Sequence, residues 1–255
     1  MTFKSLKQAS QQLASMLMTQ SKDTLKLVGG LFLLSTVVGC TAGNPYVHDA
    51  DRDDVITLGD SIFDLSGEIQ LFLEEEAGQT FRNYTQSGAE LQGGSLAASV
   101  VDQYAAAKAA NPNIDTIVMD GGGNDILIPA FLFDPYGCKT HWWRWDISNS
   151  CRNLVDDIYV QAVDMLNGMD ADGVQDIIYL GYYYTTGMQS NLAKAVDYGD
   201  LRLEQACSFT TANCQFVDPR PVIVPDDIIG DGIHPATTGS RKIADLIWPR
   251  LSNVL

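Results

Sequence analysis

Val55-Ile56-Thr57-Leu58-Gly59-Asp60-Ser61 is the stretch from which the fold is read. Its first four residues form a short, continuous apolar run that ends at once in a Gly-Asp-Ser turn. Thr116-Ile117-Val118-Met119 and Ile177-Ile178-Tyr179-Leu180 are runs of the same kind. Such runs mark strands buried on both faces, as in parallel sheets. Residues 81–85 and 215–217 supply two shorter strand candidates. Helical patterns lie between and after them: 67–77, with Ile69, Leu71, Phe72, Leu73 and Ala77 in a stripe; the Ala-rich 95–110, with Ser95 as cap and Asn111-Pro112 as stop; 153–169; 192–207; and 237–251, with Ile243, Ala244, Leu246 and Ile247 turned inward. This alternation predicts a three-layer α/β/α sandwich around a five-stranded, mainly parallel sheet, flavodoxin-like, with right-handed crossovers. One domain is expected over 55–255.

Outside that domain the chain reads differently. Residues 27–39 are an apolar run, Leu-Val-Gly-Gly-Leu-Phe-Leu-Leu-Ser-Thr-Val-Val-Gly, with Lys22 and Lys26 upstream and Cys40 next. A basic region, a short apolar run and small residues before a cleavage point describe a secretory signal. The run falls short of the roughly 20 residues that span a bilayer. Val37-Val38-Gly39-Cys40 resembles a bacterial lipobox, which implies cleavage before Cys40 and acylation of that residue. Thr41, in place of an aspartate, points to outer-membrane sorting in the envelope of a Gram-negative cell. Residues 1–39 are therefore expected to be a lipoprotein signal, and 40–54 the lipidated cysteine and a polar tether. Several acyl chains anchor stably where one would be marginal.

Charge narrows the partners. With 16 Lys+Arg against 32 Asp+Glu the 255-residue chain carries −16. Loss of 1–39 removes four lysines and Asp23, a net +3, and leaves −19 on the remaining 216 residues. Phosphate polyanions would be repelled, so binding of nucleic acid is excluded. A monomer is expected, with the membrane as partner only through the anchor. After Cys40 four cysteines remain, an even number in an exported chain. They allow three connectivities, of which the sequence-local pairs Cys138–Cys151 and Cys207–Cys214 are expected. No close Cys-x-x-Cys and no histidine cluster supports a metal site; His48 lies in the tether and His141 in a loop. No metal and no organic cofactor is expected.

In open α/β sheets, sites form at the carboxyl ends of strands. Three polar clusters fall there. Gly59-Asp60-Ser61 puts a serine on a strand-to-helix turn. Gly121-Gly122-Gly123-Asn124-Asp125 lets a ligand approach the backbone, and the Asn124 amide can donate to an oxyanion. Asp231-Gly232-Ile233-His234 places a histidine that can take a serine proton, with an acid three residues earlier to orient it.

Together these segments resemble the SGNH, or GDSL-type, hydrolases. Ile56-Thr57-Leu58-Gly59-Asp60-Ser61 is similar to that family's block I, with Ile62 where the nickname has leucine. Tyr84-Thr85-Gln86-Ser87-Gly88-Ala89 is similar to the permissive block II, Gly122-Gly123-Asn124-Asp125 to block III, and Asp231-Gly232-Ile233-His234 to block V. The likeness covers about 54–251. It implies Ser61 as nucleophile, His234 as general base and acid, and Asp231 as its orienting carboxylate. The implied oxyanion hole is the N–H of Ser61, the N–H of Gly88 and the Asn124 amide; Gly88 comes from the resemblance alone. Asp60 and Asp125 are expected to brace the turns rather than enter the chemistry.

The resemblance implies a serine esterase that hydrolyses carboxylic esters through an acyl-enzyme. Short acyl groups, including acetyl on carbohydrate, are the first expected substrates, and lysophospholipid or longer acyl esters the second. Acyl transfer to a sugar or glycan, and a non-catalytic envelope binding protein, are the readings from other classes. The loop 126–152 holds Phe131, Phe133, Tyr136, Trp142, Trp143 and Trp145. It reads either as an aromatic wall over the groove, with Trp142 and Trp143 binding substrate, or as a satellite hydrophobic cluster under a long loop. Tyr182-Tyr183-Tyr184 poses the same choice, with Tyr182 and Tyr183 as substrate-binding candidates.

Overall fold

Strands and helices alternate from residue 52 to residue 251 in the computed structural model, which describes residues 50–94 and 96–255. The expected signal 1–39, the lipidation site Cys40 and the tether up to residue 49 lie outside the described residues, as does Ser95. The elements are β1 (Arg52–Leu58), α1 (Ser61–Asp64), α2 (Glu68–Ala77), β2 (Phe81–Asn83), α3 (Val100–Ala110), β3 (Thr116–Met119) and α4 (Gly123–Leu132). They continue as α5 (Asn149–Ala171), β4 (Asp176–Leu180), α6 (Ala193–Phe209), β5 (Asn213–Val217) and α7 (Thr237–Leu251), with short 3-10 turns at Gly187–Leu192 and Pro225–Asp227. Among the described residues no helix is long and apolar enough to cross a membrane.

All strand pairs are parallel, in the order β2-β1-β3-β4-β5. The register sets Leu58 opposite Met119, and Leu180 opposite Val217. The strands thus end level, and the turns that follow them share one edge. The chain leaves β1 toward one side, to β2, and later continues on the other side, from β3 to β5. The crevice between the ends of β1 and β3 is therefore the topological switch point, where ligands bind in such sheets.

The strand runs alternate between two cores. Ile56, Leu58, Ile117, Met119, Ile177 and Tyr179 are buried beneath α3, α5 and α6. Val55, Val118, Ile178, Leu180 and Val217 face the other way, against Ile69 and Leu73 of α2 and Ile243, Ile247 and Leu251 of α7. Burial on both faces explains why these strands read as unbroken apolar runs. Gln70 of α2 reaches Thr57 in the sheet, accepting its hydroxyl at 2.6 Å.

Several boundaries differ from the sequence expectation. The Ala-rich helix begins at Val100, capped by Ser99, whose side chain accepts the Asp102 N–H at 3.1 Å while the Asp102 carboxylate takes the Ser99 N–H. This reciprocal pair satisfies two free backbone donors and outcompetes an earlier start. The segment 126–152 is not one loop: α4 runs through Leu132 with Pro129 inside it, and α5 begins at Asn149, capped by Ser148. The Gly-Gly-Gly entry and the internal proline had hidden α4. What remains, 133–148, is held by the disulfide Cys138–Cys151 (Cα–Cα 5.1 Å) over a small third core of Ala130, Ile147, Val155, Leu192 and Ala195. Cys207–Cys214 joins the end of α6 to β5 (Cα–Cα 5.2 Å). Both sequence-local pairings are present.

Candidate active site

The turn after β1 is shaped by what surrounds Gly59. Its φ of +144° is a left-handed-region value, and a Cβ there would overlap the Asp120 carboxyl oxygen. Gln103 of α3 clamps this residue from both sides, accepting its N–H at 2.8 Å and donating to its carbonyl at 2.9 Å. Asp60 then caps α1, its carboxylate accepting the Ile62 N–H at 2.9 Å. Ser61 follows as the first helical residue, buried except for 7 % of its surface.

His234 and Asp231 reach Ser61 from the far end of the sequence. The imidazole Nε2 lies 2.7 Å from Ser61 Oγ, and Nδ1 lies 2.6 Å from Asp231 Oδ2. The other Asp231 oxygen accepts the N–H groups of Ile233 (2.8 Å) and His234 (3.0 Å). Burial pushes the Asp231 carboxyl up, but the His234 side chain and these two N–H groups outweigh it and hold the carboxyl below its usual range. Asp231 is thus kept as an acceptor for the ring, which leaves Nε2 free to take a proton from the serine. Gly232, at φ +78°, makes the reversal within Asp231–His234 possible; its carbonyl accepts the Thr186 N–H at 2.8 Å, and a Cβ would strike the Thr186 backbone.

The residues expected to form the oxyanion hole come from two other strand ends. Asn124 sits in the first turn of α4, 5 % exposed, and donates one amide hydrogen to the Ala89 carbonyl at 2.9 Å. That bond fixes the amide plane. Gly88, at φ +85°, lies in the turn closed by Ala89 N–H to the Gln86 carbonyl. Asp125 braces the same loop, accepting the Leu91 N–H at 2.9 Å, and burial, with Glu90 nearby, pushes its carboxyl up to about 6. Ser61, Gly88, Asn124, Asp231 and His234 therefore all lie on the carboxyl edge of the sheet. Asp60 and Asp125 hold the turns between them.

Asp120, at the end of β3, belongs to none of the three polar clusters read from the sequence. It is fully buried and accepts the Asp60 N–H at 2.7 Å. Burial, and then the neighbouring Asp60 carboxylate, push its carboxyl well above the usual range. Its position directly before Gly121-Gly122-Gly123 was the available signal. Gln103, in the first turn of α3 between Asp102 and Tyr104, offered none.

Tyr182 and Tyr183, expected at the substrate, do structural work as well. The Tyr182 hydroxyl donates to Asp60 at 2.9 Å, and the Tyr183 hydroxyl donates to the Ile233 carbonyl at 2.7 Å. Both line a cavity that opens beside Ser61 and Asn124, enclosing about 810 Å³ of empty space, its open mouth included. Trp142 and Trp143 do not line it. They stand 81 % and 64 % exposed on the 133–148 loop, Trp143 stacked on His141. Cys138 and Ile147 turn into the satellite core, while the tryptophans face solvent. Among the described residues no cluster of His, Cys, Asp or Glu could hold a metal ion.

No family model matches the chain, and no curated protein matches its sequence. Solved structures do. A carbohydrate esterase family 3 protein from Talaromyces cellulolyticus superposes with a TM-score of 0.55 at 19 % identity, over 78 % of this chain and 96 % of that one. A catalytic mutant of an acetylxylan esterase from Geobacillus stearothermophilus gives 0.55 at 15 %, over 76 % and 92 %. A protein from Slackia heliotrinireducens assigned to the SGNH hydrolases gives 0.51 at 18 %, over 77 % and 97 %. At such identities the likeness is one of architecture, and the architecture of this chain is the SGNH hydrolase fold.

Proposed function

We propose that this chain is a serine esterase that cleaves carboxylic esters through an acyl-enzyme. The observation that carries this reading is the continuous relay Ser61–His234–Asp231, at 2.7 and 2.6 Å, on the switch-point edge of the sheet. Ser61 Oγ attacks the ester carbonyl while His234 Nε2 takes its proton. The negative charge that develops on the carbonyl oxygen meets the N–H groups of Ser61 and Gly88 and the second amide hydrogen of Asn124. His234 then gives its proton to the departing alcohol. Water repeats the sequence to release the acid and restore Ser61. Asp231 orients the ring and balances its charge throughout.

Support for esters as the substrate class also comes from the fold's likeness to acetylxylan and carbohydrate esterases. Those names favour a small acyl group, as the sequence reading does. The cavity beside Ser61 favours a larger one. The deciding experiment is hydrolysis of p-nitrophenyl esters by the full chain beside its Ser61→Ala variant. Serine-dependent turnover is expected; equal rates for the two proteins overturn the reading. We further propose, on Val37-Val38-Gly39-Cys40, that the enzyme is held in the bacterial envelope by acyl groups on Cys40. Mass spectrometry of the membrane-extracted protein would find the acyl groups on an amino-terminal cysteine, and an unmodified Cys40 would refute the anchor.

A further inference from the structure

The cavity that opens at Ser61 runs away from the sheet edge between α4, α5 and α6. Its walls are Ile126 and Leu127 of α4, Val155 and Ile158 of α5, and Ala195 and Leu203 of α6, with little polar surface among them. The charged groups at its margin are already engaged. Asp60 accepts from Ile62 and Tyr182, Asp200 accepts the Tyr182 N–H at 2.9 Å and lies 3.2 Å from Arg220, and Arg202 pairs with Asp156 at 2.8 Å. A sugar hydroxyl entering this space would give up water and find few free partners. The walls it offers to an acyl group are apolar, and an apolar cavity is a poor home for water.

Two features make the space look maintained. On α6, Ala195, Gly199 and Leu203 recur at intervals of four and so form one stripe toward the cavity. Gly199 is a glycine inside a helix, where glycine is disfavoured. Packing does not demand it: a Cβ there would meet only Ile126 Cδ1, at 3.8 Å.

The position also says which half of an ester belongs there. The departing alcohol must lie at His234 Nε2 to receive its proton. Among the described residues, the cavity is lined by Ser61, Asn124 and Ile233 but not by the His234 ring. The space therefore continues from the carbonyl carbon on the acyl side.

We infer that this cavity is an acyl-chain pocket and that the enzyme's substrates are esters of medium-length fatty acids, with Gly199 keeping the pocket open. The inference rests on the esterase reading for its chemistry and on the cavity for its chain length. Each methylene that enters should improve kcat/KM by about fourfold until the pocket is full.

Two measurements test it. In the first, the full chain hydrolyses p-nitrophenyl acetate and octanoate, beside Gly199→Ala and Gly199→Leu. The octanoate-to-acetate ratio of kcat/KM is expected to exceed ten and to fall at least tenfold in Gly199→Leu, with Gly199→Ala between. In the second, calorimetry follows sodium octanoate binding to the Ser61→Ala protein, where no turnover intervenes; saturable binding that acetate does not reproduce is expected. Turnover of acetate equal to or above octanoate, with no octanoate binding, overturns the acyl pocket and leaves the esterase standing. Octanoate binding without Ser61-dependent turnover of any ester upholds the pocket and sinks the esterase reading. If Gly199→Leu fails to fold, the wild-type ratio and the binding arm still decide.

Discussion

The hydroxyl of Tyr182 donates to the carboxylate of Asp60 at 2.9 Å, joining the end of β4 to the residue before Ser61 across 122 positions of chain. The next residue, Tyr183, binds the Ile233 carbonyl beside His234. One dipeptide thereby holds the serine turn with one ring and the histidine loop with the other. Tyr182→Phe keeps the ring but leaves a buried Asp60 oxygen short of a donor, which costs about 1–3 kcal/mol. A fall in kcat of about tenfold at unchanged KM is expected from steady-state kinetics, with a lower melting temperature.

Asn124 has two amide hydrogens, and one is spent on the Ala89 carbonyl. The other is available to the oxyanion. Asn124→Ala should lower kcat by about 10²–10³, with circular dichroism unchanged. Unaltered turnover would remove Asn124 from the mechanism.

Asp125 predicts a pH dependence of stability. Its pKa rises from 3.8 to about 6 in the fold, chiefly through burial. A carboxyl whose folded pKa is raised stabilises the protein fully below the unfolded pKa, and that contribution is lost as pH rises through the folded value. Stability should therefore fall between about pH 4 and pH 6 by roughly 2–3 kcal/mol on account of this group. Asp125→Asn, which can still accept the Leu91 N–H, should flatten that part of a melting-temperature profile.

The Cys138–Cys151 disulfide closes a segment with a sequence separation of 13, over a core that shares Val155, Leu192 and Ala195 with the walls of the cavity. Cross-links over loops of this size stabilise by about 2–4 kcal/mol. The double substitution Cys138→Ser, Cys151→Ser should lower the denaturant midpoint accordingly. It should also weaken turnover of long acyl esters more than of acetate, because the wall loses its brace.

The strand runs, the three polar turns and the pairing of cysteines are properties of short segments, and the amino-acid sequence determined them by itself. A strand buried on both faces must be apolar throughout; Ser61 and Asn124 announce themselves within a few residues of a strand end, and Asp231 and His234 just before the last helix. The sheet's parallel register then brings these ends together with little further freedom. Local signals failed where local preference was overruled. The helix Gly123–Leu132 starts in three glycines and contains Pro129, yet its packing against α5 holds it. Asp120 looks like any polar residue after a strand until its burial beside Asp60 is seen. The tertiary structure alone decided that Trp142 and Trp143 face solvent, that Tyr182 and Tyr183 tie the site's loops, and that a cavity opens between α4, α5 and α6. Each depends on how side chains far apart in the chain fill, or leave unfilled, the space between packed helices, and no periodicity along one segment records that.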